Sequence, residues 1–220
     1  MADGPVIQRA SERALRHGFG ITEVLQLVAA ARRQTEVPII LFSYFNPLLQ
    51  FGIEELAIES RHAGVDGILV TDLIPEEARE VAATMRRHDL DLIFLVAPTS
   101  TDERLKLIAE HASGFIYAVS RAGVTGARAE MSAAAEKLVR RVRRFSELPV
   151  AVGFGISRPE HVADVWRYAD AAVVGSAIVG EIENSKSPAE ALEKVSAFAR
   201  ELLTGQRIGF RSSSLNGDAR

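Results

Sequence analysis

The sequence lacks cysteine, and it lacks any apolar run long enough for a membrane helix. Without cysteine, a disulfide framework, an iron–sulfur or thiolate–zinc site and a cysteine nucleophile are excluded. A membrane helix needs about 18 consecutive apolar residues, and a secretion signal needs a basic segment followed by an apolar run; neither occurs. These absences predict a cytoplasmic protein in a reducing compartment.

The net charge and the spacing of the histidines argue against nucleic-acid binding and against a metal site. The net charge is −3 and 47% of the residues are hydrophobic, which argues against a disordered chain and against nucleic-acid binding. The arginine-rich segment KLVRRVRRF (137–145) is therefore predicted to be a solvated helix face. The five histidines have no metal-ligand spacing, so we predict no metal site.

Six short apolar runs, separated by amphipathic helical patterns, form the body of the sequence. The runs are continuous rather than alternating, which is typical of parallel strands buried on both faces. They start 21–35 residues apart and read PIILFSY (38–44), GILVTD (67–72), DLIFLVAP (91–98), GFIYAVS (114–120), PVAVGFG (149–155) and DAAVVGS (170–176). Two helical patterns precede the first run, and one follows the last. Thr101 before Asp102 and Glu103, and Ser157 before Pro159 and Glu160, are predicted N-caps because each stands ahead of acids in a first helical turn.

Repeating strand–helix units fit an open doubly wound sheet or a closed eight-stranded barrel. Glycine-rich turns after the last two strands favour the barrel, in which phosphate sites are often built from the loops after strands seven and eight. The prediction is an α/β protein with a TIM (β/α) barrel fold, of which six of the eight strands are present. Residues 1–205 form its single domain, and residues 206–220 form a disordered tail.

Two of these turns are candidate phosphate sites. GFGIS places Gly153, Phe154 and Gly155 between a strand and a helix, where backbone N–H groups can approach an anion. Alone, it is as typical of a plain strand–helix turn. GSAI adds Gly175 and Ser176 after the adjacent strand, which favours phosphate.

Other candidates follow the strands in the same way. SRAGVTGARAEM (120–131), which includes Thr125 and Gly126, fits a mobile lid as well as it fits a glycine-rich surface connection. Tyr44 and Tyr117 at strand ends indicate a pocket lined by aromatic rings, or else core aromatics at one end of a barrel. Asp72 ends a strand, where an aspartate most often caps the next helix.

Taken together, ADGPVIQ at the start, YFNP, SRAGVTGAR, GFGIS and VVGSAIV resemble the α subunit of tryptophan synthase in order and spacing over nearly the whole chain. That family is an eight-stranded barrel that cleaves indole-3-glycerol phosphate to indole and glyceraldehyde 3-phosphate. It works in an α2β2 heterotetramer with a β subunit that uses pyridoxal phosphate. The resemblance implies no cofactor in this chain.

The resemblance also implies roles for individual residues. Asp3 resembles the catalytic aspartate that bonds the indole N–H, and Thr125 resembles a lid residue that helps to place it. Tyr117 is implied as a catalytic-site residue beside the glycerol chain, and Tyr44 as a pocket wall. The implied phosphate ligands are Gly126, Gly153, Phe154, Gly155, Gly175 and Ser176, and Asn46 and Pro47 are implied to meet the β subunit.

One part of the family pattern does not occur in these 220 residues. The principal acid/base of the family is a glutamate in its second strand, within a pattern like Glu-Leu-Gly-x-Pro-Phe-Ser-Asp-Pro. The first two strand–helix units would precede Asp3, and Met1 stands where the family usually has a leucine. We therefore expect a start assigned too late, at a leucine codon, or a gene disrupted upstream, and an impaired catalyst as written.

Two alternatives to the lyase stay open on the sequence. A non-catalytic module that docks on the β subunit would keep the interface residues without the chemistry. Another barrel enzyme acting on a small sugar phosphate would keep the phosphate turns, although SRAGVTG and the Asp3 loop count against it.

Overall fold

The fold was analysed in a computed structural model that describes residues 3–119, 128–153 and 155–204. Ten α-helices, six β-strands and one short 3₁₀ helix, Pro75–Glu77, lie in these ranges. In chain order they are α1 (Pro5–Arg16), α2 (Ile21–Arg32), β1 (Ile40–Ser43), α3 (Phe45–Phe51), α4 (Ile53–Ala63), β2 (Gly67–Val70), α5 (Arg79–Arg87), β3 (Asp91–Val96), α6 (Asp102–His111), β4 (Ile116–Val119), α7 (Arg128–Val142), β5 (Val150–Gly153), α8 (Pro159–Val165), β6 (Ala171–Val173), α9 (Ser176–Glu183) and α10 (Pro188–Leu202).

All six predicted strands form, and they pair in sequence order. The sheet runs β1-β2-β3-β4-β5-β6, and every neighbouring pair is parallel. A doubly wound sheet would reverse its strand order at a switch point, and this sheet does not. The sequential order therefore confirms the (β/α) barrel prediction, with six strands in place.

The hydrophobic core lies between the outer face of the sheet and the helices. Alternate strand residues point outward, so Ile116 and Ala118 of β4 are buried whereas Tyr117 and Val119 are only partly so. The largest fully buried side chains are Phe94, Leu56, Ile68, Met85, Leu92, Ile93, Ile116, Leu138, Val65, Val96, Val139 and Val142. All of them except Ile93 belong to one continuous core cluster, which draws on strands and helices alike and holds the repeat together.

The two end strands are less buried than the sequence predicts. Every residue of β2 and β5 is buried, but Phe42 in β1 is 61% exposed and Ala171 in β6 is also exposed. The prediction of six strands buried on both faces is therefore wrong for β1 and β6. Each of them has one strand neighbour within the described sheet, so its other side lacks the cover that a neighbour provides.

The inner face of the sheet is curled, as one aromatic contact shows. The rings of Phe42 in β1 and Tyr117 in β4 meet edge to face, with 6.4 Å between their centroids. In a flat sheet these strands would lie roughly 14 Å apart, because neighbouring strands are about 4.8 Å apart. The Tyr117 ring also covers Gly153: a Cβ there would overlap the phenol hydroxyl and come within 2.6 Å of the ring Cζ.

Arg32 fixes the first helices to the sheet. From the end of α2 its guanidinium donates to the Gly64 carbonyl at 2.6 Å, to the Val37 carbonyl at 3.0 Å and to the Asp66 carboxylate at 2.5 Å. Asp66 in turn accepts the backbone N–H of Ile39 at 2.7 Å. One side chain thereby links α2 to the segments that lead into β1 and β2.

Some helix starts differ from the sequence prediction. Thr101 caps α6 as expected, with its hydroxyl accepting the Arg104 N–H at 3.3 Å. The predicted cap at Ser157 is wrong, because α8 begins after Arg158 and the Ser157 N–H donates to His161 Nδ1. Helices α3 and α9 were not predicted, since both follow directly on a strand and are only seven and eight residues long.

The arginine-rich segment 137–145, which spans the end of α7 and the residues after it, is paired rather than simply solvated. Arg141 and Arg144 donate to the two carboxylate oxygens of Asp102 at 2.8 and 2.6 Å, and Arg143 donates to Asp170 at 3.0 Å. The hydrogen bond from Arg141 is the main reason why the pKa of Asp102 lies below its ordinary value. These arginines therefore serve contacts between neighbouring units.

Two predictions fall partly or wholly outside the described residues. The lid, 120–131, has its first eight residues there, and the tail, 206–220, lies there entirely. Both stay predictions, as does the single domain at 1–205. In the ranges that are described, no helix is both long enough and apolar enough to cross a membrane.

Replacing Arg32 with alanine should destabilise the fold by about 1–3 kcal/mol, because the partly covered Gly64 carbonyl and Asp66 carboxylate lose a charged donor. Chemical denaturation measures the change. Arg33→Ala is the matched control, since Arg33 is the exposed neighbour of Arg32. Equal stability of the two variants would contradict the role given to Arg32.

Gly153→Ala should cost about 1–3 kcal/mol of stability through overpacking against Tyr117. In a Tyr117→Ala background most of this cost should disappear, because the clashing ring is gone. Gly175→Ala is the control, since a Cβ at Gly175 would meet no atom within 4 Å. A Gly153→Ala cost that is the same with and without the Tyr117 ring would refute the assigned contact.

Candidate active site

The candidate residues lie at one end of the sheet because all six strands run in the same direction. Tyr44 directly follows β1, Gly153 ends β5, and Gly175 is the second residue after β6. Parallel strands place their carboxyl ends at a common edge, which is where barrel enzymes have their active sites. The fold therefore gathers residues that are far apart in the sequence.

Asp3 is held at this edge by two contacts. The Tyr44 hydroxyl donates to Asp3 Oδ2 at 2.6 Å, a short hydrogen bond of the kind that carboxylates form. The Gln8 side-chain amide donates to the Asp3 carbonyl at 2.8 Å, which ties the residue to the first turn of α1. The carboxylate is partly exposed, so one of its oxygens is fixed while the group stays open to a ligand.

Tyr117 lies on the inner face of the sheet between Phe42 and Gly153. Its burial raises the pKa of the phenol above the ordinary value near 10. The hydroxyl is consequently protonated at neutral pH and can donate a hydrogen bond. Tyr44, which follows β1, and Tyr117, in β4, are thus the two phenols among the candidate residues.

The two glycine turns follow adjacent strands. Gly153 pairs with Val173 in the β5–β6 register, so the turns that start after them are neighbours. Gly155 has a φ of +60°, a left-handed conformation that favours glycine, and a Cβ there would meet open space. Gly175 is the N-cap of α9 and Ser176 its first residue, both exposed, so the free N–H groups of that helix start are at the surface.

Asp72 turns out to act as a helix cap for its neighbour. Its carboxylate accepts the backbone N–H of Phe45, the first residue of α3, at 2.6 Å. The predicted capping role is therefore correct in kind, but the helix that it caps follows β1 rather than β2. On α3 itself, Asn46 and Pro47 are exposed, whereas Leu48 is buried.

Three of the predicted ligands, Thr125, Gly126 and Phe154, lie outside the described residues. The structure brings Asp3 and Tyr44 into direct contact and places Tyr117 against Gly153. It sets Gly155, Gly175 and Ser176 on neighbouring turns at the same end of the sheet. Asn46 and Pro47 follow Tyr44 closely in the sequence and are exposed on α3.

Several supporting residues were not predicted from the sequence. Gln8 contacts Asp3, Phe42 contacts Tyr117, and Glu183 accepts hydrogen bonds from Arg9 and Arg13 across 170 or more residues. Only Gln8 had a usable signal, since it lies in the first turn of the helix that follows Asp3. In the described ranges no group of three or more His, Asp or Glu is placed to hold a metal ion.

Chemically, the arrangement offers a carboxylate that accepts hydrogen bonds, two phenols that can donate them, and backbone N–H groups that can bind an anion. The Asp3 carboxylate can accept an N–H and stabilise a developing positive charge, and a phenol can donate to an oxygen. Backbone N–H groups at the glycine turns can bind an oxyanion such as phosphate. A ligand that combines an N–H ring system with a phosphate at its other end fits this set.

Comparison with known proteins gives a consistent result over most of the chain. The family model for the tryptophan synthase alpha chain matches residues 1–207. The tryptophan synthase alpha chain of Solibacter usitatus is 48% identical over 205 residues, which cover 93% of this chain and 77% of the relative. That of Methanopyrus kandleri is 47% identical over 215 residues, covering 97% and 78%.

Solved structures agree with the sequence comparison. The Pyrococcus furiosus chain from a study of mutual activation in the tryptophan synthase a2b2 complex is 41% identical with a TM-score of 0.84, covering 92% of this chain and 82% of that one. The tryptophan synthase structure from M. tuberculosis, an open form with a bound compound, gives 38% identity and a TM-score of 0.81, covering 91% and 74%. The chain therefore belongs to the tryptophan synthase α chain family.

Proposed function

We propose that this chain acts in the lyase reaction of its family, the retro-aldol cleavage of indole-3-glycerol phosphate to indole and glyceraldehyde 3-phosphate. The observation that carries the proposal is the 2.6 Å hydrogen bond from Tyr44 to Asp3, formed at the end of the sheet that also holds Tyr117 and the glycine turns. It presents an oriented carboxylate where an indole N–H can meet it.

Asp3 supports the cleavage through the ring nitrogen. When C3 of the indole takes up a proton, positive charge develops on that nitrogen, and a carboxylate that accepts its N–H lowers the energy of this state. The bond from C3 to the glycerol chain then breaks as the adjacent hydroxyl loses its proton, which leaves indole and the aldehyde. Tyr44 holds Oδ2 of Asp3, so Oδ1 is the oxygen that we assign to the substrate.

Tyr117 and the turns hold the other half of the substrate. Because the Tyr117 phenol is protonated, it can donate to an oxygen of the glycerol chain. The phosphate is assigned to the N–H groups at Gly153, Gly155, Gly175 and Ser176, together with Gly126 and Phe154. Thr125 is assigned the placement of Asp3 from the lid.

The second carboxylate of the family reaction has no counterpart in residues 1–220. Its glutamate lies in a strand pattern that the sequence does not contain. General acid/base catalysis contributes about 10²–10⁴-fold to a rate. A polypeptide of residues 1–220 is therefore proposed to bind the substrate and to cleave it slowly.

The same proposal includes a partner and no cofactor of its own. The Pyrococcus furiosus relative is described as part of an a2b2 complex. By analogy, this chain joins a β subunit in a cytoplasmic α2β2 heterotetramer, with pyridoxal phosphate confined to the β subunit. Exposed Asn46 and Pro47 on α3 are the assigned contact.

A second candidate function is docking without catalysis. It is favoured by one observation, namely that the interface residues are exposed while the acid/base pattern does not occur in the sequence. Binding to the β subunit together with failure to bind indole-3-glycerol phosphate would support docking over the lyase.

Asp3→Asn should weaken the binding of indole-3-glycerol phosphate about tenfold or more, because a hydrogen bond to a charged acceptor is replaced by a neutral one. Tyr44→Phe should act in the same direction with a smaller effect. Calorimetric titration measures both. Asp89→Asn is the control, since Asp89 precedes β3 at the opposite end of the sheet; an Asp3 variant that binds like this control would refute the assignment.

Residues 1–220 should release indole from indole-3-glycerol phosphate about 10²–10⁴-fold more slowly than a relative that contains the glutamate pattern. An indole-release assay on both proteins, at saturating substrate, tests this. The relative from Pyrococcus furiosus is a suitable reference. Equal turnover would show that other residues of this chain supply the second acid/base.

A further inference from the structure

Helix α1 carries Asp3 into the site but is poorly anchored by the core. None of its side chains is buried; Val6, Ile7 and Ala10 are only partly covered, and Leu15 is 70% exposed. Apolar burial is the dominant force that fixes helices in a fold. The position of α1, and with it that of Asp3 two residues before the helix, must therefore depend strongly on other contacts.

Besides the hydrogen bond from Tyr44 to Asp3, Glu183 supplies such contacts. Arg9 of α1 donates from Nε and Nη2 to both carboxylate oxygens of Glu183, at 2.8 and 2.7 Å, and Arg13 donates to one of them at 2.8 Å. The Glu183 side chain is 20% exposed, whereas those of Arg9 and Arg13 are 52% and 47% exposed. Two cations thus converge on one sheltered carboxylate, in the bidentate geometry that is strongest for arginine.

Glu183 also lies on the helix that begins at the glycine turn of Gly175 and Ser176, which we call the phosphate turn. Glu183 is the last residue of α9, and Gly175 and Ser176 begin the same helix. Eight helical residues span roughly 12 Å as a stiff rod. The carboxylate therefore connects the helix that follows Asp3 with the helix whose start is assigned to the phosphate.

We propose that Glu183 is a positioning residue, which sets the place of Asp3 relative to the phosphate turn by joining α1 to α9. This inference rests on the proposed function, because it concerns how that site is held together. Glu183 does not touch the substrate. Its removal would leave both ends of the site intact but loosen the distance between them.

The charge state of Glu183 suits a permanent link. Hydrogen bonds from Arg9 and then Arg13 lower the pKa of its carboxyl to about 2. Because this pKa lies below the unfolded value, the link is fully present above about pH 4.5 and is lost as the pH falls toward 2. Around neutral pH the carboxylate is ionised and paired.

The test uses Glu183→Gln in the full chain, with Glu181→Gln as the matched control on the same helix. Hydrogen exchange measures the mobility of residues 5–16, and titrations measure the affinities for indole-3-glycerol phosphate and for inorganic phosphate. For Glu183→Gln we expect amide exchange in α1 about fivefold faster and substrate affinity about fivefold weaker, with phosphate affinity changed less than twofold. Glu181→Gln should change none of the three.

A sign-reversed variant separates positioning from a general loss of stability. Arg9→Glu and Arg13→Glu combined with Glu183→Arg should recover most of the substrate affinity that Glu183→Gln loses, because each attraction is restored with reversed charges. Unchanged exchange in α1, or faster exchange with unchanged substrate affinity, would overturn the role of Glu183 alone. A wild-type chain that does not bind indole-3-glycerol phosphate would overturn the proposed function, and this inference with it.

Discussion

Burial of the outward-facing strand side chains beneath the helices is the interaction on which the rest of the molecule depends. Ile68, Leu92, Ile116 and Val150 each come from a different strand and join one core with the helices that alternate with them. A helix between each pair of strands brings the chain back to its starting edge, so every strand runs the same way. The common carboxyl edge, and hence the site, is a consequence of that layer.

The inner face of the sheet differs from the outer face in the kind of contacts that hold it. It holds buried apolar side chains such as Ile93 together with aromatic groups that are exposed or only partly covered, Phe42 and Tyr117, which meet in a single edge-to-face contact. Asp3 and Tyr44 meet through one hydrogen bond, and ion pairs from Arg9 and Arg13 to Glu183 join α1 to α9. The molecule thus combines a stable outer layer with a site whose geometry depends on single side chains.

The fold was largely predictable from the sequence, because its strands are continuous apolar runs whose period and spacing are local signals. Helix α3 was not predictable in this way: it contains Pro47 near its start, and its cap, Asp72, comes from a different strand. The exposure of β1 and β6 depends on what lies beside them, which no local pattern encodes. Ser157 was a reasonable cap by residue type, yet the helix begins one residue later.

The candidate site was predictable mainly through the family resemblance. Asp3, Tyr44, Tyr117 and the glycine turns were identified by motif, and the structure explains how strand ends gather them. Glu183 was not predictable, because a contact across more than 170 residues leaves no trace in spacing or composition. Long-range polar contacts on helix surfaces are therefore the part of such a site that can be found only from a structure.

The packing of Tyr117 on Gly153 also has an evolutionary consequence. A side chain at position 153 avoids overlap with residue 117 only when position 117 carries a smaller residue, so changes at the two positions are expected to be coupled. If both positions were substituted, replacing Tyr117 by a smaller residue first would avoid the overlap, and the intermediate would have a cavity beside Gly153. Steric overlap thus favours one order of substitution, and a change at position 153 stays costly as long as Tyr117 is retained.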